Sequence, residues 1–189
     1  MPWQNYHSRV GDKQSEIACA LSRFLTGRRD RALDLGAGHL RDSRYLIREG
    51  FFEVTAVDIY EPPKCLFEEG IVFAQSRIEE YTPEVELYDG CISTNSMYFM
   101  PKARLKPVFE RIRASLRPGG VFVCNLLAEK DPWVKVRGAE KIAWVEKCDL
   151  RSLHEGFRVI LSENTFRRMK DFPNEKKDWH CHVFILEKL

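Results

Sequence analysis

The sequence predicts an open α/β sheet, mostly parallel, with helices on both faces and an antiparallel last strand. Three observations predict it. Short apolar strands alternate with stretches of helical periodicity along most of the chain. The run "VFVCNLL" is apolar almost throughout, as suits a strand buried on both faces. The chain closes with two strand-like runs in succession, a pattern that makes a hairpin and turns the last strand around.

Each element follows in order. Asp12 is placed to cap a helix with apolar positions Ile17, Ala20, Leu21, Phe24 and Leu25, which Gly27 ends. "RALDL" is the first strand. A helix from about Arg41 carries Tyr45 and Leu46 and stops at Gly50. "EVTAVD" is the second strand. Pro62 and Pro63 suit the first turn of a short helix that ends by Gly70. "IVFA" and "YDGCIS" are the third and fourth strands. After Pro101 the residues Leu105, Val108, Phe109, Ile112 and Leu116 form one apolar helical stripe. "RPGG" is expected to break the chain before "VFVCNLL". Asp149 and Gly156 bracket a short helix, "LRSLHE". The tail reads as strands "FRVILSENTF" and "WHCHVFILEKL", joined by the charged "KDFPNEKKD".

Bulk properties narrow the function classes. At 189 residues without repeat or low-complexity tract, the chain reads as one domain over 1–189, with residues 1–27 as an N-terminal helix and candidate lid. Thirty Lys and Arg against 28 Asp and Glu leave a net charge of +2, too balanced to advertise a nucleic-acid partner. The six cysteines form no CxxC pair, so reduced, mostly buried thiols are expected rather than a disulfide framework or a zinc site. The N-terminus lacks the apolar core of a signal peptide, and "VFVCNLLA" is far too short to span a bilayer. A soluble, cytoplasmic protein is expected, with no membrane partner.

The chemistry concentrates after the first strand, in "LDLGAGHLRDS". In such sheets ligands bind beyond the carboxyl ends of the strands, where strand order reverses. Gly36-Ala37-Gly38 supplies a turn with unusual dihedrals and a bare backbone. Asp58, ending the second strand, stands where an acid accepts ribose hydroxyls. A dinucleotide site wants a third glycine where Arg41 stands. Asp34 would also repel a pyrophosphate. A ligand with an ammonium and a sulfonium and no phosphate, such as S-adenosylmethionine, suits that carboxylate better than NAD.

These segments, with "VTAVDIY", "YDGCISTNSMYFM" and "LRPGGVFVCNLL", resemble the successive motifs of class I S-adenosylmethionine-dependent methyltransferases. Within that family the "RDS", "HEGFRV" and "HVFILEK" segments look most like the small tellurite-resistance-type and related small-molecule methyltransferases. The resemblance implies a doubly wound seven-stranded sheet of order 3-2-1-4-5-7-6. It implies that Asp34, Gly36, Ala37 and Gly38 line the methionine end of S-adenosylmethionine. Asp58 would hold the ribose, with Ile59 beside the adenine. Ser76, Arg77 and Ile78 would face the adenine edge. Thr94 and Asn95 would touch the methionine moiety or the substrate. The family often has a third glycine where Leu40 stands.

The acceptor side is read more coarsely. "STNSMY" is not the Asn-Pro-Pro-aromatic signature used on adenine or amide nitrogens, and no Pro-Cys pair is present, which argues against DNA-base methylation. His39 is a candidate base or substrate contact, weighed equally against an exposed loop residue. Tyr98, Phe99 and Met100 are candidate walls of an acceptor pocket, or core; Tyr98 is also a candidate catalytic residue. Trp3 and Tyr6 are candidates for an aromatic lid, or for packing. Trp133 and Arg137 follow the fifth strand, and Arg137 would hold an anionic acceptor or lie solvated on the surface. His180 and His182 share a strand face, but two histidines make a weak metal signal, so no metal is expected. Arg167, Arg168, Lys170, Lys176 and Lys177 form the one basic cluster, read as a solvated hairpin. The expected activity is methyl transfer to a small molecule. The rivals are an RNA or protein methyltransferase and a cofactor-binding but inactive partner subunit.

Overall fold

The position of the glycine turn follows from the way the strands assemble. A computed structural model describes residues 13–171 and 175–189, the side chains of 167–177 excepted. Strand β1 (Arg31–Leu35) lies between β2 (Glu53–Asp58) and β4 (Tyr88–Ser93), parallel to both. Next to β2 at the edge runs β3 (Ile71–Gln75), also parallel. On the other side, β5 (Leu116–Ala128) is parallel to β4. Then come β8 (Glu175–Lys188), antiparallel to β5, and β7 (Phe157–Asp171), antiparallel to β8. The expected order is found, with the two tail strands taken as the sixth and seventh. An eighth, two-residue strand, β6 (Trp144–Val145), sits beside the end of β5. The chain leaves β1 towards β2 on one side and reaches β4 on the other, so their carboxyl ends diverge and leave a crevice.

Two apolar layers sandwich the sheet. Along β5, Val121 and Val123 point into one layer, with Ile17 and Leu21 of α1 (Glu16–Phe24) and Leu46 of α2 (Arg41–Arg48). Phe122 and Cys124 point into the other, with Val108, Phe109 and Ile112 of α3 (Leu105–Ser115). This is the period-two burial that a run apolar on both faces implies. All five positions of the expected α3 stripe are buried.

Several boundaries differ from expectation for local reasons. Helix α1 is capped by Ser15, whose Oγ accepts the Ala18 N–H at 3.0 Å; Asp12 lies outside the described residues. After Pro62 and Pro63 only one 3₁₀ turn forms, Lys64–Leu66. "RPGG" does not break the chain but bulges inside β5. From Tyr88 to Gly90 β4 advances two residues, while β5 advances five, from Leu116 to Val121. Helix α4 (Pro132–Arg137) was not expected; Asp131 caps it and Pro132 opens it. Helix α5 (Lys147–Leu153) starts at a Glu146 cap, with Asp149 as the far partner of a capping box rather than the cap itself.

The charged link in the tail is largely strand. Backbone pairing between β7 and β8 runs from Phe157–Lys188 to Asp171–Glu175, well past the last β5 partner, Cys181. None of the six cysteines is disulfide-bonded; Cys91 and Cys124 are buried, but Cys65 and Cys148 are exposed, so burial is less general than expected. Among the described residues no helix is long and apolar enough to cross a membrane.

Candidate functional site

At the crevice lies a cavity of about 380 Å³, within the range of small-ligand pockets. The turn after β1 builds its floor. Gly36 (φ +80°) and Gly38 (φ +53°) both take left-handed backbone conformations. The N–H groups of Gly36 and Ala37 donate to the Val57 carbonyl at 2.7 and 3.0 Å. A Cβ on Gly36 would collide with Cβ and Oγ of Ser96. Glycine at 36 is therefore required by the neighbouring loop, not only by a ligand. Leu40, at the family's frequent glycine position, is also left-handed (φ +58°) and opens α2. Its side chain is fully buried with Ala37 and Ala56, and that burial offsets the backbone strain.

Four acids line the cavity: Asp34, Asp42, Asp58 and Glu79, the last paired with Arg77. Asp58 accepts the Gly38 N–H at 2.8 Å on one oxygen and the Tyr60 N–H at 3.0 Å on the other. A carboxylate offers about four acceptor positions, so both oxygens retain capacity for hydroxyl donors. Asp34 is only 2% exposed and accepts from Ser43 Oγ at 2.6 Å. Burial first, then the nearby Asp42 charge, pushes its carboxyl up to about 7. Asp42 goes the other way. Burial alone would raise it, but it accepts from Arg41 Nε (2.9 Å) and Nη2 (3.0 Å), the Ser15 N–H (2.8 Å) and Thr94 Oγ1 (2.9 Å). The Arg41 and Ser15 contacts hold it below the ordinary carboxylate range.

The loop after β4 forms the opposite wall, and each of its residues is tied to a different element. Ser93 Oγ donates to the Leu35 carbonyl at 2.8 Å, Thr94 to Asp42, and Ser96 Oγ to the Gly36 carbonyl at 3.1 Å. Asn95 is left-handed (φ +52°) and pairs with Asn125 of β5. From the end of β3, Ser76 donates its N–H to the Asp58 carbonyl at 3.0 Å, and Arg77 pairs with Glu79 at 2.7 Å.

The structure thus brings together Asp34, Gly36, Ala37, Gly38, Asp58, Ile59, Ser76, Arg77, Ile78, Thr94 and Asn95 around one cavity, with His39, Phe99 and Met100 also on its wall. His39 feels the Asp58 charge, but partial burial, its leading influence, and Arg44 lower its proton affinity. Tyr98 is not on the wall. It is 3% exposed, in an aromatic cluster with Phe99, Trp133 and Trp179 at ring separations of 4.5 to 6.3 Å. Trp133 also stands off the cavity, with the Arg137 guanidinium 4.2 Å above its ring. Trp3 and Tyr6 lie outside the described residues, as do the side chains of the basic cluster.

His182 is 5% exposed and hydrogen-bonded on both ring nitrogens, to Ser162 Oγ and Asn164 Oδ1, each at 2.8 Å. Burial and the nearby His154 push it down to about 4, so it stays neutral and structural. His180 stacks edge-on against Phe166. Among the described residues no cluster of three metal-ligating side chains occurs. Sequence reading missed Asp42, Ser43, Ser96 and Asn125. The acid in the first turn of α2 and the lone polar residue inside "VFVCNLLA" were the available signals.

Comparison with known proteins completes the picture. A family model described as "Methyltransferase domain" matches residues 10–169. No curated protein matches the chain by sequence. Among solved structures, Burkholderia thailandensis 1,6-didemethyltoxoflavin-N1-methyltransferase, with bound 1,6-didemethyltoxoflavin and S-adenosylhomocysteine, is similar over 98% of this chain and 84% of its own, at TM-score 0.71 and 23% identity. TehB from Haemophilus influenzae is similar over 97% of this chain and 65% of its own, at TM-score 0.76 and 15% identity. N-methyltransferase NodS from Bradyrhizobium japonicum is similar over 92% and 94%, at TM-score 0.64 and 14% identity. At these identities the likeness is one of fold.

Proposed function

The chain belongs to the methyltransferase-domain family, whose cofactor is S-adenosylmethionine, and on that premise we propose that it methylates a small-molecule acceptor from this cavity. The observation that carries the reading is the pairing of a buried carboxylate, Asp34, with a glycine turn and a second carboxylate, Asp58, around one cavity. A cationic amine relieves the unfavourable burial of Asp34, whereas a phosphate would add to it. The oxygens of Asp58 keep acceptor positions for a ribose diol, with Ile59 and Ile78 offering apolar contact to a base.

S-adenosylmethionine, when bound, supplies a methyl on a sulfonium whose sulfur departs as a neutral thioether. The chain therefore has no oxyanion to stabilise. Its residues hold the ligand in line and keep water out. Asp34 and the Gly36–Gly38 turn fix one end, Asp58 the other, and Thr94 to Ser96 wall the middle. His39 lines the cavity within reach of the Asp58 charge, which supports cofactor contact over proton removal from an acceptor. The Tyr98 ring packs among aromatics and supplies shape, not a base. The acceptor side is formed by Phe99 and Met100, backed by the cluster that holds Trp133. The neighbour crystallised with 1,6-didemethyltoxoflavin supports an acceptor of that small size. Cysteines without disulfides suit the reducing cytoplasm.

The test is a panel of small thiols, amines, phenols and metalloid oxyanions, read by S-adenosylhomocysteine release, beside bulk RNA and protein. Release with one small acceptor is expected. Release only with RNA or protein would replace the small-molecule reading, and cofactor binding without release under any condition would favour an inactive partner subunit.

A further inference from the structure

Asn125 is the one strongly polar side chain in the interior run of β5, and it is 7% exposed. Burying an amide costs free energy unless its hydrogen bonds are met. A valine or leucine would serve the sheet equally well, since the β5 ladder to β8 is made by the backbone. The amide is matched by a single residue on the neighbouring loop. Asn125 Oδ1 accepts the Asn95 N–H at 2.9 Å, and Asn125 Nδ2 donates to Asn95 Oδ1 at 2.6 Å. Asn95 is the one left-handed residue of the wall loop, at φ +52°. Such a backbone persists when its surroundings over-determine it. Its flanking residues are held from the other side, by Asp42 and by the Gly36 carbonyl.

We infer that Asn125 is a positioning residue: its two-point grip holds Asn95 left-handed, so that the Thr94–Ser96 wall is formed before the cofactor arrives. It is not among the residues that line the cavity. The inference rests on the cofactor reading above and adds a residue to it.

Glycine adopts the left-handed region without the Cβ penalty, which gives a discriminating test. S-adenosylhomocysteine binding is measured by calorimetry for the wild type, Asn125→Ala, and the double variant Asn125→Ala with Asn95→Gly. We expect Asn125→Ala to weaken binding about tenfold, equivalent to about 1.4 kcal/mol. The double variant should recover most of that loss, because glycine restores the backbone without the amide grip. Asn125→Val, whose branched side chain suits a buried strand, covers the case in which the alanine variant does not fold. Undiminished affinity in both single variants would overturn the inference. So would a double variant no better than Asn125→Ala, because a purely structural role predicts additive damage. If the wild type itself does not bind S-adenosylhomocysteine, the cofactor reading fails instead.

Discussion

The two halves of the sheet are built on different principles. In the half from β1 to β4, backbone and short polar side chains do the work. Glycine dihedrals, N–H donors and four acids converge on one cavity, and the loop after β4 is pinned residue by residue. In the half from β5 to β8, large side chains dominate. Trp133 and Trp179 pack together where α4 and β8 meet, joined by Tyr98 and Phe99 from the β4–α3 connection, and Asp131 fastens α4 to β8 by accepting the Trp133 and His180 N–H groups at 2.9 and 3.1 Å. A site built from backbone tolerates little change. A site built from packed side chains can be recut to another shape at the cost of a few contacts. The first half therefore suits a fixed cofactor and the second a variable acceptor.

The comparison breaks most easily at Gly36. Gly36→Ala combines a left-handed backbone with a collision against Ser96. Strain and overpacking of this kind cost about 3 kcal/mol or more, so cofactor affinity should fall about a hundredfold, with a lower melting temperature. An alanine variant that binds normally would show that the turn is looser than described. Second is pH. A cationic ligand prefers Asp34 ionised, and burial holds its carboxyl up to about 7. Affinity should therefore be about thirtyfold weaker at about pH 5.5 than at about pH 8, with proton release on binding in acid. A flat profile would remove Asp34 from the cofactor's cationic end.

Third, Asp58→Ala should weaken binding at least about tenfold, since hydrogen bonds to a carboxylate are worth about 1.5–3 kcal/mol each. Part of that loss would come through the released Gly38 and Tyr60 N–H groups. Smallest is Trp133→Ala, which should move cofactor affinity by less than about threefold, because distant sites act independently, while lowering turnover of whichever acceptor is found. If Trp133→Ala weakens cofactor binding as much as Asp58→Ala does, the division between the halves is wrong.

The same division explains what could be read from the sequence. The half from β1 to β4 was legible because its signals are local: a strand, two glycines and an acid at the next strand's end specify a turn within a few residues. Asp42 and Asn125 escaped because their partners lie far along the chain. Asp42 meets Ser15 and Thr94, and Asn125 meets Asn95 thirty residues away. Beyond β5, α4 and β6 are too short to show a period, so neither was expected from the sequence. Asp149 misled because a capping box places two acids three residues apart, and either reads as the cap. "RPGG" misled because Gly and Pro mark bulges as well as breaks.

A cavity made for a phosphate-free, cationic nucleoside takes S-adenosylmethionine and refuses NAD. Calorimetry of the purified protein with S-adenosylmethionine and, separately, with NAD at about pH 8 tests it most directly. One S-adenosylmethionine per chain and no heat from NAD is the predicted result. Saturable NAD binding with no response to S-adenosylmethionine would contradict it.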